Sequence, residues 1–506
     1  MADQRTGSKM RPAGENLQLI TENEMTRPIV LKYLKACAQV KPSCITLDEL
    51  IEYSDEFPIQ FPIETIRSAS LLNEDDVEPT ILDRFARSAY PILHESVLPL
   101  YINFLQYKMM YGTRQEKREY CKVGIVELVD RLLRKRAVVF LGPDDYYVLL
   151  NGMRGRGSWD DVGRTRSRCG LKLRDCLSYD EMKLSALLSV SSYSYFINDG
   201  SRNNMGIPAI NTYNIERMGV VMGLIGARFE RPGKMEWEEV MVTEEQNTEE
   251  NGYGPLETAK IPECFWRQLW CQFYDLGPHL PLYTEVEQDV RHDTERRYEP
   301  LDGHFFDNTA YANRLAVSFE TLLLDSEHRA YIAGRPAYIH VVGIGMGEWK
   351  ISQHQETIYL DAFGYALRRL LPLLQHVADV DFAWFRERTC YGVPDGGSFA
   401  CREPPRRVDV HFSRRNPHDK LAGPHADKLL VVSYAWDGNA LPGNEFWMGS
   451  LTASGDPAQA CSSQIAELHN PHINRSQVCG SNLRIATTRW GVVHVAQYAR
   501  WKLDVS

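Results

Sequence analysis

The sequence predicts an α/β protein with a helical region at its N-terminal end, on three observations. From Ala137 onward, strand-like runs rich in Val, Ile and Phe alternate with helical patterns, as in a sheet covered on both faces. Residues 21–138 lack such runs and space their apolar residues three and four apart, the period of helices. Several strands also end in polar, Gly-bearing loops, where α/β folds place their chemistry.

Taken in order, residues 1–20 (MADQRTGSKMRPAGENLQLI) are expected to be disordered and carry no signal-peptide apolar core. The segments ENEMTRPIVLKYLKAC and AYPILHESVLPLYINFLQYKMMY read as helices. EKREYCKVGIVELVDRLLRKR also reads as a helix and ends in a basic last turn, as helix C-termini favour. Residues 139–506 are expected to form one α/β domain with insertions. Its strand-like runs are AVVFL, YYVLL, YFIN, GVVMGLIGARF, EEVMVT, AYIHVVGIG, VDFAWF, RVDVHF and LLVVSYAW. Helices are predicted over Tyr179–Val190 and Glu356–Val377, and long loops over 243–254 and 386–406.

Composition narrows the functions. The chain has 506 residues, 43% hydrophobic and 25% charged, ordinary for a globular protein. Its net charge of -10 argues against general nucleic-acid binding, which needs clustered Lys and Arg. No apolar run approaches the roughly 18 residues of a membrane span. Eleven cysteines without a CxxC pair point to free thiols in a reducing compartment, hence a cytoplasmic or nuclear protein.

Four segments carry candidate chemistry. In Tyr338–Trp349 an apolar strand runs into Gly343, Gly345 and Gly347. Glycines let backbone N–H groups approach a pyrophosphate closely, although Glu348 replaces the third Gly of a dinucleotide fingerprint. A tight strand-to-helix turn explains the same pattern. In Tyr195–Asn204, Asn198, Ser201 and Arg202 could meet ribose hydroxyls or phosphate, or could simply organise an Asp-Gly turn. In Gly223–Glu230, followed by Met235–Glu239, small residues suggest close packing or ligand approach, and the carboxylates could be functional, although solvated acids near a turn explain them first. The richest segment is Leu429–Asn474. After a buried-type strand come Trp436, Asp437, Gly438, Asn439, Gly443, Glu445 and Asp456, and then a helix. Asp456 before Pro457 suits an N-cap. Asp437 and Glu445 sit in a loop too aromatic to be freely solvated, so they are candidates for acid–base work or for stabilising a cation. HExxH, Walker and GxSxG motifs are absent, and no catalytic metal is expected.

The ordered set VVGIGMGEWK, VDFAWF, YAWDGNALPGNEFW and SGDPAQACSSQI resembles the MavL-like family of macrodomain-type, arginine-specific ADP-ribosylhydrolases over roughly residues 140–500. The resemblance implies a divergent macrodomain-like three-layer α/β/α sandwich. The phosphate-like loop here precedes the acid-bearing loop, the reverse of a standard macrodomain, and a permuted or heavily inserted sheet would reconcile the two. The resemblance also implies catalytic acids at Asp437, Glu445 and Asp456. Ordinary glycosidase chemistry then suggests their roles. Asp437 and Asp456 would stabilise the developing oxocarbenium and activate water, and Glu445 would bind the guanidinium or position the ribose, with no metal or other cofactor. ADP-ribose would lie on Gly343, Gly345, Gly347, Trp349, Asn198, Arg202, Trp436, Gly438, Asn439 and Gly443. The implied partner is an ADP-ribosylated protein, ubiquitin being one candidate, with no nucleic acid and no membrane. Two alternatives stand beside the enzyme: a non-catalytic ADP-ribose reader, and an adaptor acting through its helical region.

Overall fold

Runs of β-branched and aromatic residues pair into a central ten-stranded sheet in the computed structural model, which describes residues 19–20, 27–142, 144–164, 170–255, 262–291 and 297–505. Its strands are β1 (Tyr90–His94), β2 (Ser189–Tyr195), β3 (Met218–Leu224), β4 (Ala337–Val341) and β5 (Val377–Ala383). They continue with β6 (Ser398–Arg402), β7 (Pro405–Ser413), β8 (Leu429–Ala435), β9 (Arg484–Thr487) and β10 (Gly491–His494). The order across the sheet is β6-β7-β5-β4-β8-β3-β2-β1-β9-β10. The strands β7, β5, β4, β8 and β3 run parallel, while β2 is antiparallel to both neighbours. Every residue of β4, and all of β8 but its last, is buried. This is why both read as continuous apolar runs rather than alternating ones.

The helix Asn308–Ala333 lies across one face of the sheet and packs against the helix Gln355–Leu370. It starts at Asp307, whose carboxylate accepts the Ala310 N–H at 2.9 Å. It stops at Gly334, whose φ of 63° is left-handed. The sequence reading missed this helix because its buried side chains include Arg314, Glu320, Asp325 and Arg329, which erase the apolar stripe.

Three expectations for the N-terminal region are corrected. Residues 1–18 lie outside the described residues, but Ile20 is buried, and Asn103 bonds both its N–H and its carbonyl at 2.9 Å. Residues 21–138 are not purely helical. Tyr90–His94 is a strand between β2 and β9, a five-residue apolar run whose type only pairing decides. The helix expected over 116–136 is two helices, Arg114–Tyr120 and Ile125–Arg134. The second is restarted by Glu127, whose carboxylate accepts the Gly124 N–H at 3.0 Å.

This region is fastened to the loops after β8. Trp447 stacks against Phe57 and Phe61, each 5.0 Å away. The buried Glu467 carboxylate accepts from the Ser54 hydroxyl at 2.5 Å, and from the backbone N–H and hydroxyl of Ser68, both at 2.7 Å. No helix among the described residues is long and apolar enough to cross a membrane. Glu467→Ala orphans those buried donors and should lower stability by about 2–3 kcal/mol, read as a fall in the urea midpoint at unchanged m-value.

Candidate active site

The parallel strands β4, β5 and β8 deliver their C-terminal ends to one cavity of about 1070 Å³, the edge where open α/β sheets bind ligands. Gly343, Gly345 and Gly347 follow β4, Trp384 and Phe385 follow β5, and Trp436 and Asp437 follow β8, and all of them line it. Ser433 and Ala435 share one face of β8 by the two-residue period. The cavity therefore continues along the sheet over Ser433 to His340. Burial pushes the His340 ring down to about 4, so a neutral imidazole faces this inner end.

The loop between β8 and the helix Gly455–Ala460 is shaped by Asp456. Its carboxylate accepts the Asp437 N–H at 3.0 Å and the Gly443 N–H at 2.8 Å. Gly443 sits at φ 99°, and a Cβ there would come within 3.2 Å of Ala460 and Phe446, so a side chain is disfavoured twice. Asn444 completes the clamp. Its amide exchanges hydrogen bonds with the backbone of Phe140 at 2.9 and 3.0 Å and donates to Asp437 Oδ2 at 2.5 Å. The Asn439 N–H reaches Asp437 Oδ1 at 3.3 Å. Ser454 donates to Glu445 at 3.4 Å.

The acids are crowded and poorly solvated. Burial holds Asp437 well above the ordinary carboxyl range, and the charges of Glu230, Glu445 and Asp456 push it further. Glu445 is raised by burial, with Glu348 adding to the shift and Arg202 opposing it. Asp456 is raised by burial despite its two backbone donors. Glu230, which also lines the cavity, is raised by burial and lowered by hydrogen bonds from the Trp349 indole and the Gly142 N–H. A cavity with this much suppressed negative charge is built to receive a cation. Its opposite character comes from Arg202, Lys350 and Arg386, which also border it.

The expected residues therefore divide. Gly343, Gly345, Gly347, Trp349, Arg202, Trp436, Asp437 and Glu445 line one cavity. Trp436 is nonetheless 2% exposed, with Arg136 stacked 4.0 Å from its ring, so packing accounts for most of its surface. Asp456 is buried beneath the cavity and grips backbone instead. It is not the N-cap either, since the cap position is Ser454. Asn198 is 2% exposed and builds its own turn, accepting from Gly200 and donating to Ile207. Asn439 is buried against Arg228, its Oδ1 accepting at 2.6 Å. At Gly438 a Cβ would overlap Ile225 at 2.3 Å, so that glycine permits packing. Gly443 contributes its N–H to Asp456 rather than a surface to the cavity. Trp447 packs toward the N-terminal region.

Sequence reading passed over Asn444 and gave Glu230 a functional role only as the second choice. Asn444 follows a Pro-Gly turn, and its role depends on Phe140, 304 positions away. Glu230 looked like a solvated acid past a strand. The Gly226 stretch before it does make a close approach, because a Cβ there would lie 2.3 Å from the Gly345 nitrogen. Among the described residues one group could share a metal ion, Asp379 with His411 and His425. It lies outside the cavity lining. Lys428 donates to both Asp379 and His425, so an ammonium already supplies the cation there.

A glycine-rich loop and crowded carboxylates line one cavity at the C-terminal edge of a mostly parallel sheet in an α/β protein. The chain belongs to the MavL-like ADP-ribosylhydrolase family, whose pattern matches residues 48–501. It is 44% identical over 489 residues to the ADP-ribosylarginine hydrolase CG3568 of Drosophila melanogaster, spanning 95% of this chain and 93% of that one. It is 40% identical over 478 residues to the ADP-ribosylarginine hydrolase CG2909 of the same organism, spanning 93% of each. The protein is accordingly a hydrolase acting on N-glycosyl bonds.

Gly226→Ala should force the Gly345 loop outward and cost about 1–3 kcal/mol of stability. The same variant should weaken ADP-ribose binding, measured by titration calorimetry, while a cavity-remote change such as Glu467→Ala should leave that affinity unchanged.

Proposed function

We propose that this protein hydrolyses the bond joining the distal ribose of ADP-ribose to an arginine nitrogen on a modified protein. The observation that carries the reading is Asp437 with Glu445 in the same cavity as the Gly343–Gly347 loop, in a chain similar to two ADP-ribosylarginine hydrolases. The pyrophosphate lies on the glycine loop near Arg202 and Lys350, where close backbone approach and positive charge favour it. The distal ribose then reaches Asp437.

As the C1″–N bond lengthens, positive charge develops on the ribose, and the Asp437 carboxylate stabilises it. Glu445 orients the attacking water and takes its proton. The water oxygen bonds to C1″, the C1″–N electron pair leaves on the guanidine nitrogen, and that nitrogen takes up the proton that Glu445 removed from the water. Free ADP-ribose and unmodified arginine result. Asp456 is a positioning residue, because it holds the backbone of Asp437 and Gly443. Carboxylates suffice for this displacement, so the chemistry calls for no metal. The sheet is read as a permuted macrodomain-like one. Ubiquitin remains a candidate substrate protein, and the reducing compartment suggested by unpaired thiols favours cytoplasmic action.

Release of free ADP-ribose should occur from an arginine-linked protein and not from a serine-linked one. Asp437→Ala should slow release by about 10²–10⁴-fold while still binding ADP-ribose. Absence of release from wild-type protein, with tight ADP-ribose binding, would overturn hydrolysis and leave a reader.

The acid limb gives a second check. Asp437 must be ionised to act, and burial with its acidic neighbours keeps its proton on above the ordinary range. Activity is therefore present above that raised value and lost as pH falls through it. The acid limb of kcat/KM, which reports the free enzyme, should have its midpoint above the usual carboxylate range.

A further inference from the structure

The arginine linkage must be recognised by something, and the loop acids alone do not account for it. Glu445 already accepts from Ser454 and, in the hydrolase reading, serves the attacking water. Glu230 adds its charge to those that raise Asp437, and it reaches the cavity from a different segment, the one following β3. Its position is fixed. Gly226 packs against the backbone of Gly345. Arg228 is buried, with its guanidinium bonded to Glu236 and Asn439.

The cations nearest in sequence to Glu230 are already engaged elsewhere. Arg228 pairs with Glu236 at 2.9 Å. Arg231 pairs with Asp145 and Asp160. Lys234 pairs with Asp160 at 2.6 Å. Among the described residues no salt bridge reaches Glu230. Trp349 bonds it through the indole N–H and lines the same cavity, which adds an aromatic side chain to a carboxylate without a salt bridge. Guanidinium groups favour that combination, through two parallel hydrogen bonds to the carboxylate and contact with a ring face.

We propose that Glu230, flanked by Trp349, receives the guanidinium of the modified arginine and so determines the linkage the enzyme accepts. The inference rests on the hydrolase reading above. In it, the ligand's own charges set its direction. The anionic pyrophosphate goes to the side with Arg202, and the cationic guanidinium goes to the acid that no salt bridge reaches and that only the charge of Arg228 offsets. The entering charge also lets Glu230 and Asp437 ionise together, which their burial and the charge of Glu230 on Asp437 oppose.

The test compares the full-length wild type with Glu230→Gln and Glu230→Asp. KM for an arginine-linked substrate should rise by about 10–100-fold in Glu230→Gln, the size of one charge-assisted hydrogen bond, with a smaller change in kcat. ADP-ribose affinity should be unchanged. Agmatine, used as a free guanidinium probe, should inhibit wild type and no longer inhibit Glu230→Gln. Glu230→Asp, which keeps the charge on a shorter arm, should lie between the two and carries the test should Glu230→Gln fail to fold. Unchanged KM and agmatine inhibition would overturn the proposal. So would a collapse of kcat at unchanged KM, which would place Glu230 on the reacting atoms. Failure of wild type to release ADP-ribose would instead sink the hydrolase reading, while calorimetric binding of agmatine to wild type against Glu230→Gln still decides the guanidinium site.

Discussion

The grip of Asp456 on two backbone amides is the constraint on which the site depends. Asp437 and Gly443 lie six positions apart, and one buried carboxylate bonds both N–H groups. This folds the loop after β8 back on itself. With the backbone so held, Asn444 can reach Asp437 on one side and Phe140 on the other. A side chain that never enters the cavity thus fixes the orientation of one that does. Burying a carboxylate is costly unless it is hydrogen-bonded, and the two amides offset that cost here.

Charge is arranged in a second layer around this clamp. Deep in the fold, acids and bases are matched, as where Glu236 binds both Arg228 and Arg314. In the cavity the matching is incomplete. Lys350 stands 3.8 Å from Glu356, while the acids around Asp437 crowd one another. Matched buried pairs make the walls rigid, and unmatched groups leave electrostatic work for a ligand that carries both signs. The N-terminal region contributes to the same stiffness, since Phe57 and Phe61 hold Trp447 and the pair Ser54 and Ser68 hold Glu467.

Some of this is written locally in the chain. The parallel strands β4 and β8 are legible because strands buried on both faces need uninterrupted apolar side chains. The glycines after β4 and the acids after β8 are legible because strand ends in such sheets are where loops converge. The helix Asn308–Ala333 was hidden by its buried charges, and Tyr90–His94 was too short to separate strand from helix. Asn198, Gly438 and Asn439 have the residue types of ligand contacts, yet their side-chain space is spent on turn closure and packing.

The sequence by itself determined the α/β class, the glycine loop and the pair Asp437 and Glu445, because each depends on residue type and short-range spacing. Only the tertiary structure decided that Asp456 grips backbone, that Asn444 aims Asp437, and that Glu230 joins the acids from another strand end. Those outcomes depend on which distant segments meet, such as Phe140 with Asn444 and Gly226 with Gly345. Local patterning carries no record of such meetings, because they are selected by the packing of the whole sheet.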